Sequence, residues 1–225
     1  MEPYRSRPEY IAGMMAYLTG ERSEARKAIE DLIEKYPKDS SLYLLLGNIK
    51  YTLGLLSESA AHYEKALELE PGFSQAYFKL GVCNVRMGKL NEALAAFKRN
   101  VLCGGQGHIM SYYWMGLINN FLGNDEKALE AFTVLRRESK ESLLANFFLA
   151  QLLMKRNEHQ KALELLQELL TLTPDFAEVH YLIGLAHAGM YNTFEAMQSF
   201  RKTLELNPDD KRARVSLEQY EAPSA

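Results

Sequence analysis

Histidine and cysteine are the side chains most able to hold a metal or act as a nucleophile, and this chain of 225 residues has few of them. They are His62, His108, His159, His180, His187, Cys83 and Cys103. His180 and His187 form the best candidate pair, because residues seven apart share one face of a helix. Two ligands are too few for a zinc site, and no HExxH or CxxC spacing occurs. We therefore predict no metal site and expect both histidines to pack or to form hydrogen bonds.

Catalysis and phosphate binding have no other signature in the chain. No GxxxxGK[ST] or GxGxxG motif occurs, and Gly104-Gly105-Gln106-Gly107 lacks the preceding strand and the lysine of a phosphate-binding loop. No nucleophile, base and orienting group recur in a recognisable pattern. We expect a protein that is not an enzyme and that binds no cofactor.

Charge and hydropathy narrow the class of partner. The 26 Lys and Arg residues are interleaved with 29 Asp and Glu residues, for a net charge of -3. We expect a solvated outer face and no nucleic-acid binding. No apolar stretch is long enough for a transmembrane helix, and residues 1–8 lack the apolar core of a signal peptide. The sequence predicts a cytoplasmic protein with no membrane insertion. Basic pairs scattered among the acidic residues are Lys98-Arg99, Arg136-Arg137, Lys155-Arg156 and Lys211-Arg212.

Small residues recur along the chain every 34 residues, with one interval of 35. The first small column contains Gly13, Gly47, Gly81, Gly116, Ala150 and Gly184. The second small column contains Ala25, Ser59, Ala93, Ala128, Ala162 and Ala196, and the bulky column four residues later contains Ile29, Tyr63, Phe97, Phe132, Leu166 and Phe200. Between the first and the second small column lies a turn column with Gly20, Gly54, Gly88, Gly123, Asn157 and Tyr191. Four units end with a proline, at Pro37, Pro71, Pro174 and Pro208.

These columns predict pairs of antiparallel helices. Each unit has two segments with helical apolar spacing, separated by a residue that suits a tight turn. The small columns let the two helices approach closely with the bulky side chain between them, and proline ends the second helix. One such hairpin cannot bury its apolar faces alone, so neighbouring units must stack.

The stretch Tyr63-Glu64-Lys65-Ala66-Leu67-Glu68-Leu69-Glu70-Pro71, after Leu46-Gly47 and Gly54, resembles the consensus of the tetratricopeptide repeat family. The resemblance recurs in register over about residues 6–210. It implies an all-α fold, a right-handed superhelical solenoid over residues 1–222 whose groove holds other proteins. The expected repeats span about 6–39, 40–73, 74–107, 109–142, 143–176 and 177–210, with a C-terminal capping helix over 211–221.

Two units depart from the pattern at their ends. The third ends Cys103-Gly104-Gly105-Gln106-Gly107 with the extra residue His108, and the fourth ends Arg136-Arg137-Glu138-Ser139-Lys140; neither has the closing proline. The glycines of residues 104–107 are compatible with a hinge between two three-repeat halves and with a rigid helix C-cap. Both interpretations stay open at this level.

The first helices are more apolar than packing on one side requires; Ile109 to Leu122 is apolar nearly all round. Such a helix is either buried on every side or exposes apolar groups for binding. In the family the first helices line the concave groove. That geometry gives the predicted groove residues Tyr10, Met14, Leu44, Asn48, Tyr51, Phe78, Val82, Tyr113, Leu117, Phe121, Phe147, Gln151 and Tyr181.

The carboxylate clamp, the family's groove for acidic chaperone tails, is not expected. It needs Lys and Asn on one first helix, Asn on the next, and Lys and Arg on the third. When the clamp is aligned with the first three repeats, its five positions hold Tyr10, Met14, Leu45, Gln75 and Lys79. Aligned one repeat later, they hold Leu44, Asn48, Lys79, Met110 and Trp114. Only isolated members match.

The sequence leaves two hypotheses for function. The first is an interaction scaffold or adaptor that binds an apolar or amphipathic segment of a partner in the groove, in complex assembly. The second is a structural subunit whose groove is occupied by another copy or by a fixed partner, so self-association is possible.

Overall fold

The computed structural model describes residues 8–105, 107–139 and 143–221, and in these ranges the chain forms thirteen α-helices and no strand. The all-α prediction is confirmed. The helices are α1 Pro8–Thr19, α2 Arg22–Lys35, α3 Ser40–Thr52, α4 Leu56–Leu69, α5 Ser74–Arg86, α6 Leu90–Cys103, α7 His108–Phe121, α8 Asp125–Glu138, α9 Leu143–Lys155, α10 His159–Leu172, α11 Ala177–Gly189, α12 Thr193–Leu206 and α13 Lys211–Glu221.

The chain divides into two compact units, unit 1 (Met1–Ile118) and unit 2 (Asn119–Ala225). In unit 1 the pairs α1–α2, α3–α4 and α5–α6 form hairpins, and α2 packs on α3 and α4 on α5. In unit 2 the hairpins are α9–α10 and α11–α12, while α8 packs on α9, α10 on α11 and α12 on α13. The expectation of one continuous solenoid over residues 1–222 stays a prediction.

Each hairpin is built on a bulky side chain of the second helix that lies against a small residue of the first. Tyr63, Phe97 and Phe200 are at most 1% exposed. A Cβ added at Gly81 would lie 2.6 Å from Cε1 of Phe97, and the same ring atoms of Tyr63 and Phe200 block Gly47 and Gly184. A methyl group therefore has no room beside these rings.

The fifth repeat has the complementary arrangement. Ala150 takes the place of the glycine, and Leu166 takes the place of the aromatic ring; both side chains are fully buried. The extra methyl group on the first helix thus accompanies a smaller partner on the second.

The turns between paired helices use the left-handed backbone region. Gly20, Gly54, Gly88 and Gly123 have φ of 73–87°, while Asn157 has φ of 59° and Tyr191 has φ of 62°. The predicted turn column is confirmed. Tyr191 is 92% exposed, so burial of its ring does not offset the strain of this conformation.

The second helices end in two ways. The residues after α2, α4, α8, α10 and α12 all have φ of -132 to -139° and ψ of 62 to 88°, including Ser139, which no proline follows. After α6, Gly104 takes the left-handed conformation and donates its N–H to the Val101 carbonyl. Asn100 donates to Ser74 O at 2.8 Å, and Ser111 donates to Asn100 at 2.7 Å, which supports the C-cap interpretation. Gln106 and Lys140 lie outside the described residues.

The predicted capping helix is α13. Its Ala213 is fully buried, and Tyr220 stacks on Phe200 with a centroid distance of 6.4 Å. Arg212 bonds Asp210 at 2.8 Å, and its guanidinium lies 4.5 Å from the centroid of the Tyr181 ring. Through these contacts α13 packs against the last repeat.

We predict that Gly81→Ala lowers the free energy of unfolding by about 1–2 kcal/mol, because overpacking outweighs the gain in helix propensity. In that background Phe97→Leu should cost less than it does alone, with a coupling of about 1 kcal/mol. Chemical denaturation of the double-mutant cycle measures this. Gly72→Ala, at a site with no atom within 4 Å of an added Cβ, is the control. Additive effects would contradict the packing described above.

We predict that Tyr191→Gly raises the free energy of unfolding by up to about 1 kcal/mol, because glycine adopts positive φ without steric cost. Gly88→Ala, at the equivalent open turn, should change stability in the opposite direction. Thermal denaturation followed by circular dichroism distinguishes the two. A less stable Tyr191→Gly protein would mean that the exposed ring contributes contacts in the folded state.

Candidate functional site

A pocket of about 350 Å³ lies across three successive first helices of unit 1. Its lining comes from α1, α3 and α5 with one residue of α4: Tyr17, Asn48, Tyr51, Thr52, Tyr63, Phe78, Lys79 and Val82. Four predicted groove residues therefore meet in one place, namely Asn48, Tyr51, Phe78 and Val82. Tyr17, Thr52 and Lys79 extend this set, which we call the first-helix pocket.

Polar groups are fixed at the floor and rim of the first-helix pocket. The Tyr63 hydroxyl donates to Asn48 Oδ1 at 2.9 Å, which leaves the Asn48 amide NH₂ as a donor. Burial raises the pKa of Tyr63, so the phenol stays protonated at neutral pH. Arg86 covers the Tyr51 ring, with Cζ 4.6 Å from its centroid. Lys79 has no ion-pair partner within the part of the chain that the structure describes.

Three predicted groove residues of unit 2, Phe147, Gln151 and Tyr181, are only partly exposed. Phe147 on α9 stacks on Phe176 with a centroid distance of 6.0 Å and meets Phe148 edge-on. Tyr181 on α11 has Phe200 on one side and the Arg212 guanidinium over its ring. Gln151 is half-buried. Sequence reasoning missed Arg212, whose role depends on the geometry of the capping helix.

One predicted groove residue is buried. Leu44 is 6% exposed and belongs to the core cluster of Tyr63 and Leu80, so the prediction that it lines an open groove is wrong. The other repeats place an aromatic ring at this position, as at Phe78 and Tyr181. A leucine side chain is shorter than such a ring, so it ends inside the core.

The remaining predicted groove residues differ in exposure. Phe121 is 80% exposed, and Tyr10, Met14, Tyr113 and Leu117 are half-buried.

A second cavity, of about 630 Å³, lies in unit 2 between the second helices α8 and α10, above α9. It is lined by Leu129, Thr133, Arg136, Arg137, Leu149, Leu153, Leu165 and Glu168. Sequence reasoning missed it because only the first-helix face was projected. The available signal was Leu153, a large apolar residue at a repeat position held by Ala16 in the first repeat and by Lys50, Asn84, Asn119 and His187 in the other four.

The equivalent place in unit 1 is filled by charge. Lys50 is 8% exposed, and its Nζ lies 2.7 Å from Glu58 Oε2 and 4.0 Å from Glu30 Oε1. This contact holds the pKa of Glu58 below its ordinary value. Burial, and then the Lys50 charge, lower the pKa of the neighbouring His62. Unit 1 therefore has an ion network where unit 2 has a cleft lined by four leucines, with Thr133, Arg136, Arg137 and Glu168 around them.

Most residues of the basic pairs form ion pairs or hydrogen bonds with other residues of the chain. Arg136 bonds Glu168 and Asn146, both at 2.8 Å, while Arg156 meets Glu126 at 2.9 Å.

Across residues 8–105, 107–139 and 143–221 no group of three or more His, Cys, Asp or Glu side chains could hold a metal ion. His180 Nε2 lies 2.8 Å from the Pro174 carbonyl oxygen. None of the described helices has the length and hydropathy needed to cross a membrane.

Sequence models of one family match along most of the chain. Tetratricopeptide repeat models match residues 13–72, 62–95, 110–142 and 177–210, and a TPR repeat model matches residues 150–190. The chain belongs to the tetratricopeptide repeat family. The fold and this membership support an interaction scaffold.

One similar curated protein is a subunit of a complex. Subunit 3 of the anaphase-promoting complex of Schizosaccharomyces pombe is 31% identical over 107 residues, which is 48% of this chain and 16% of that subunit. The chain thus spans about a sixth of the curated relative that it matches.

Solved structures share the tetratricopeptide fold. YrrB, a TPR protein with an unusual peptide-binding site, has a TM-score of 0.77 and 22% identity, covering 85% of this chain and 98% of that chain. The Cut9–Hcn1 hetero-tetramer of the anaphase-promoting complex has a TM-score of 0.57 and 18% identity, covering 92% of this chain and 41% of that chain. At these identities the likeness shows the fold alone.

The ion network predicts a pH dependence of stability. The folded-state pKa of His62 is lower than its ordinary value of 6.5, so the unfolded chain binds a proton more readily. His62 should therefore contribute stability above pH 6.5 that is lost as the pH falls through its folded pKa. Thermal midpoints measured from pH 7 to pH 5 should fall less steeply in His62→Gln than in the wild type. Identical slopes would exclude this contribution.

Proposed function

We propose that the chain is an interaction scaffold that binds an apolar or amphipathic segment of a partner protein across the first helices of unit 1. The observation that carries the proposal is the first-helix pocket, where Tyr51, Phe78 and Val82 come from two successive first helices. Aromatic and aliphatic anchors that enter such pockets provide much of the affinity of protein interfaces. A pocket of this size accommodates one or two side chains.

The polar groups of the first-helix pocket define the chemistry beside the anchor. The Asn48 amide is oriented by Tyr63, so it can donate to a backbone carbonyl of the bound segment. Lys79 at the rim favours a carbonyl or carboxylate next to the apolar anchor. A single lysine contributes a modest part of the affinity, because an exposed charge is screened by salt.

The relatives support a role in assembly. YrrB carries a peptide-binding site, and the Cut9–Hcn1 and subunit 3 relatives are parts of the anaphase-promoting complex. By analogy we propose that this chain holds partner segments during the building of a multiprotein complex.

The test begins with a partner identified by pull-down and mass spectrometry, whose affinity is then measured for pocket variants. We predict that Tyr51→Ala and Val82→Lys each weaken binding by about 2 kcal/mol, as expected for anchor sites. Binding should change little between low and moderate salt, and Lys79→Ala should remove most of the remaining salt dependence.

The matched control is Glu64→Ala, an exposed residue on the second helix α4. Each variant must keep the wild-type melting temperature. If Tyr51→Ala and Val82→Lys bind as tightly as the wild type, the first-helix pocket is not the site. A tight oligomer in analytical ultracentrifugation that Val82→Lys dissociates would instead establish the second hypothesis, in which another copy occupies the groove.

A further inference from the structure

The cavity of about 630 Å³ between α8 and α10, which we call the second-helix cleft, has an apolar and a basic part. The apolar lining consists of four leucines, among them Leu129 on α8 and Leu153 on α9. Arg136 and Arg137 follow Leu129 by seven and eight residues on the same face of α8. A helix rises about 1.5 Å per residue, so the two arginines lie about 10–12 Å from Leu129 along the α8 axis.

Arg136 departs from the repeat pattern. The equivalent residue is apolar in the other five repeats, namely Ile33, Leu67, Val101, Leu170 and Leu204. The Arg136 guanidinium is held by two hydrogen bonds, from Nε to Asn146 Oδ1 and from Nη2 to Glu168 Oε2, both at 2.8 Å. Asn146 is only 4% exposed. The cleft therefore contains a guanidinium that is fixed in place by a buried amide.

Arg137 adds a second positive charge to the second-helix cleft. No other repeat has a basic residue at this position, where Glu34, Glu68, Leu102, Thr171 and Glu205 occur. The Arg137 side chain is 73% exposed, and its contact with the neighbouring Glu138 joins two exposed groups, so that pair contributes little. Two arginines and one glutamate are the charged residues of the lining, so the cleft is complementary to an anion.

The second-helix cleft is open to water along α8. Thr133 and Arg137, which line it, are both exposed. A site for a small molecule buries most of the surface of its ligand. An amphipathic helix, in contrast, buries one side and keeps its polar side in water. An open cleft with an apolar floor therefore fits a helix better than it fits a small apolar acid.

We propose that the second-helix cleft docks an acidic amphipathic helix of a partner protein. Its large aliphatic side chains pack on the leucines, and its carboxylates pair with Arg136 and Arg137, because a guanidinium binds a carboxylate through parallel hydrogen bonds. The spacing of Leu129, Thr133, Arg136 and Arg137 sets the register of this helix. It needs aliphatic residues four apart and carboxylates seven and eight residues from the first of them. The cleft shares no lining residue with the first-helix pocket, so this proposal does not depend on the proposed function.

Two designed peptides are the probes for this cleft. Both are helices of alanine and glutamine with two leucines four residues apart and two adjacent glutamates. In one peptide the glutamates begin seven residues after the first leucine, and in the other the order is reversed, since the cleft does not fix the direction of the bound helix. Each peptide carries a fluorophore and is titrated with the full chain. We expect one of them to bind saturably, and more weakly as the salt concentration rises.

Two variants and a charge reversal test where the peptide binds. Arg137→Glu and Leu153→Asn should each weaken binding about tenfold or more. Arg137 is exposed, and asparagine occupies the position of Leu153 at Asn84 and Asn119, so both variants should keep the wild-type melting temperature. A peptide with lysines in place of the glutamates should bind the wild type about tenfold more weakly, and Arg137→Glu should bind it better than the wild type does.

The matched control is Lys127→Glu, a charge reversal at an exposed residue of α8 that does not line the cleft. Lys127→Glu and Val82→Lys should bind the acidic peptide like the wild type. The proposal is overturned if neither acidic peptide binds, if the lysine peptide binds the wild type equally well, or if Arg137→Glu and Leu153→Asn have no effect. It is also overturned if the chain forms a dimer that Arg137→Glu dissociates, because a second copy would then occupy the cleft.

Discussion

The contact between a bulky side chain on each second helix and a glycine or alanine on the first sets the geometry of every described hairpin. Phe97 is fully buried, and its ring occupies the space where Gly81 would have a Cβ. Ser59 strengthens the same contact in the second repeat by donating to the Gly47 carbonyl at 2.8 Å. Burial of each such side chain contributes roughly 1.5–3 kcal/mol. At this point the two helices approach so closely that an added methyl group would overlap the ring.

This packing leaves the other faces of the first helices to contact neighbouring repeats and, in unit 1, to line the first-helix pocket. The glycine faces the second helix, and the position two residues later faces the preceding repeat, as Ile49 and Cys83 do. Residues such as Asn48 and Val82, one position after the glycine, reach the first-helix pocket instead. The regular spacing of hairpins therefore brings side chains from three first helices, together with Tyr63 of α4, to one pocket.

Much of the fold could be predicted from the sequence because every repeat has the same pattern of small and bulky residues at its helix contacts. The columns identified the helix pairs and the turns, the stretch after the sixth unit indicated the cap, and the geometry implied by the family resemblance gave four lining residues of the first-helix pocket. Two features needed the coordinates. Leu44 was misplaced because burial depends on how far a side chain extends, which the column does not record. The cleft over Leu153 was missed because it depends on three positions together, where unit 2 has Leu129, Leu153 and Leu165 and unit 1 has Arg26, Lys50 and His62.

The central claim is that the first helices of unit 1 form the partner-binding face, and hydrogen exchange tests it most directly. Amide exchange of the full chain is measured by mass spectrometry with and without the partner recovered by pull-down. The account predicts added protection in α3 and α5, with little change in the exposed turns around Gly72 and Tyr191. Protection confined to the second helices α4 and α6, with α3 and α5 unchanged, would contradict it.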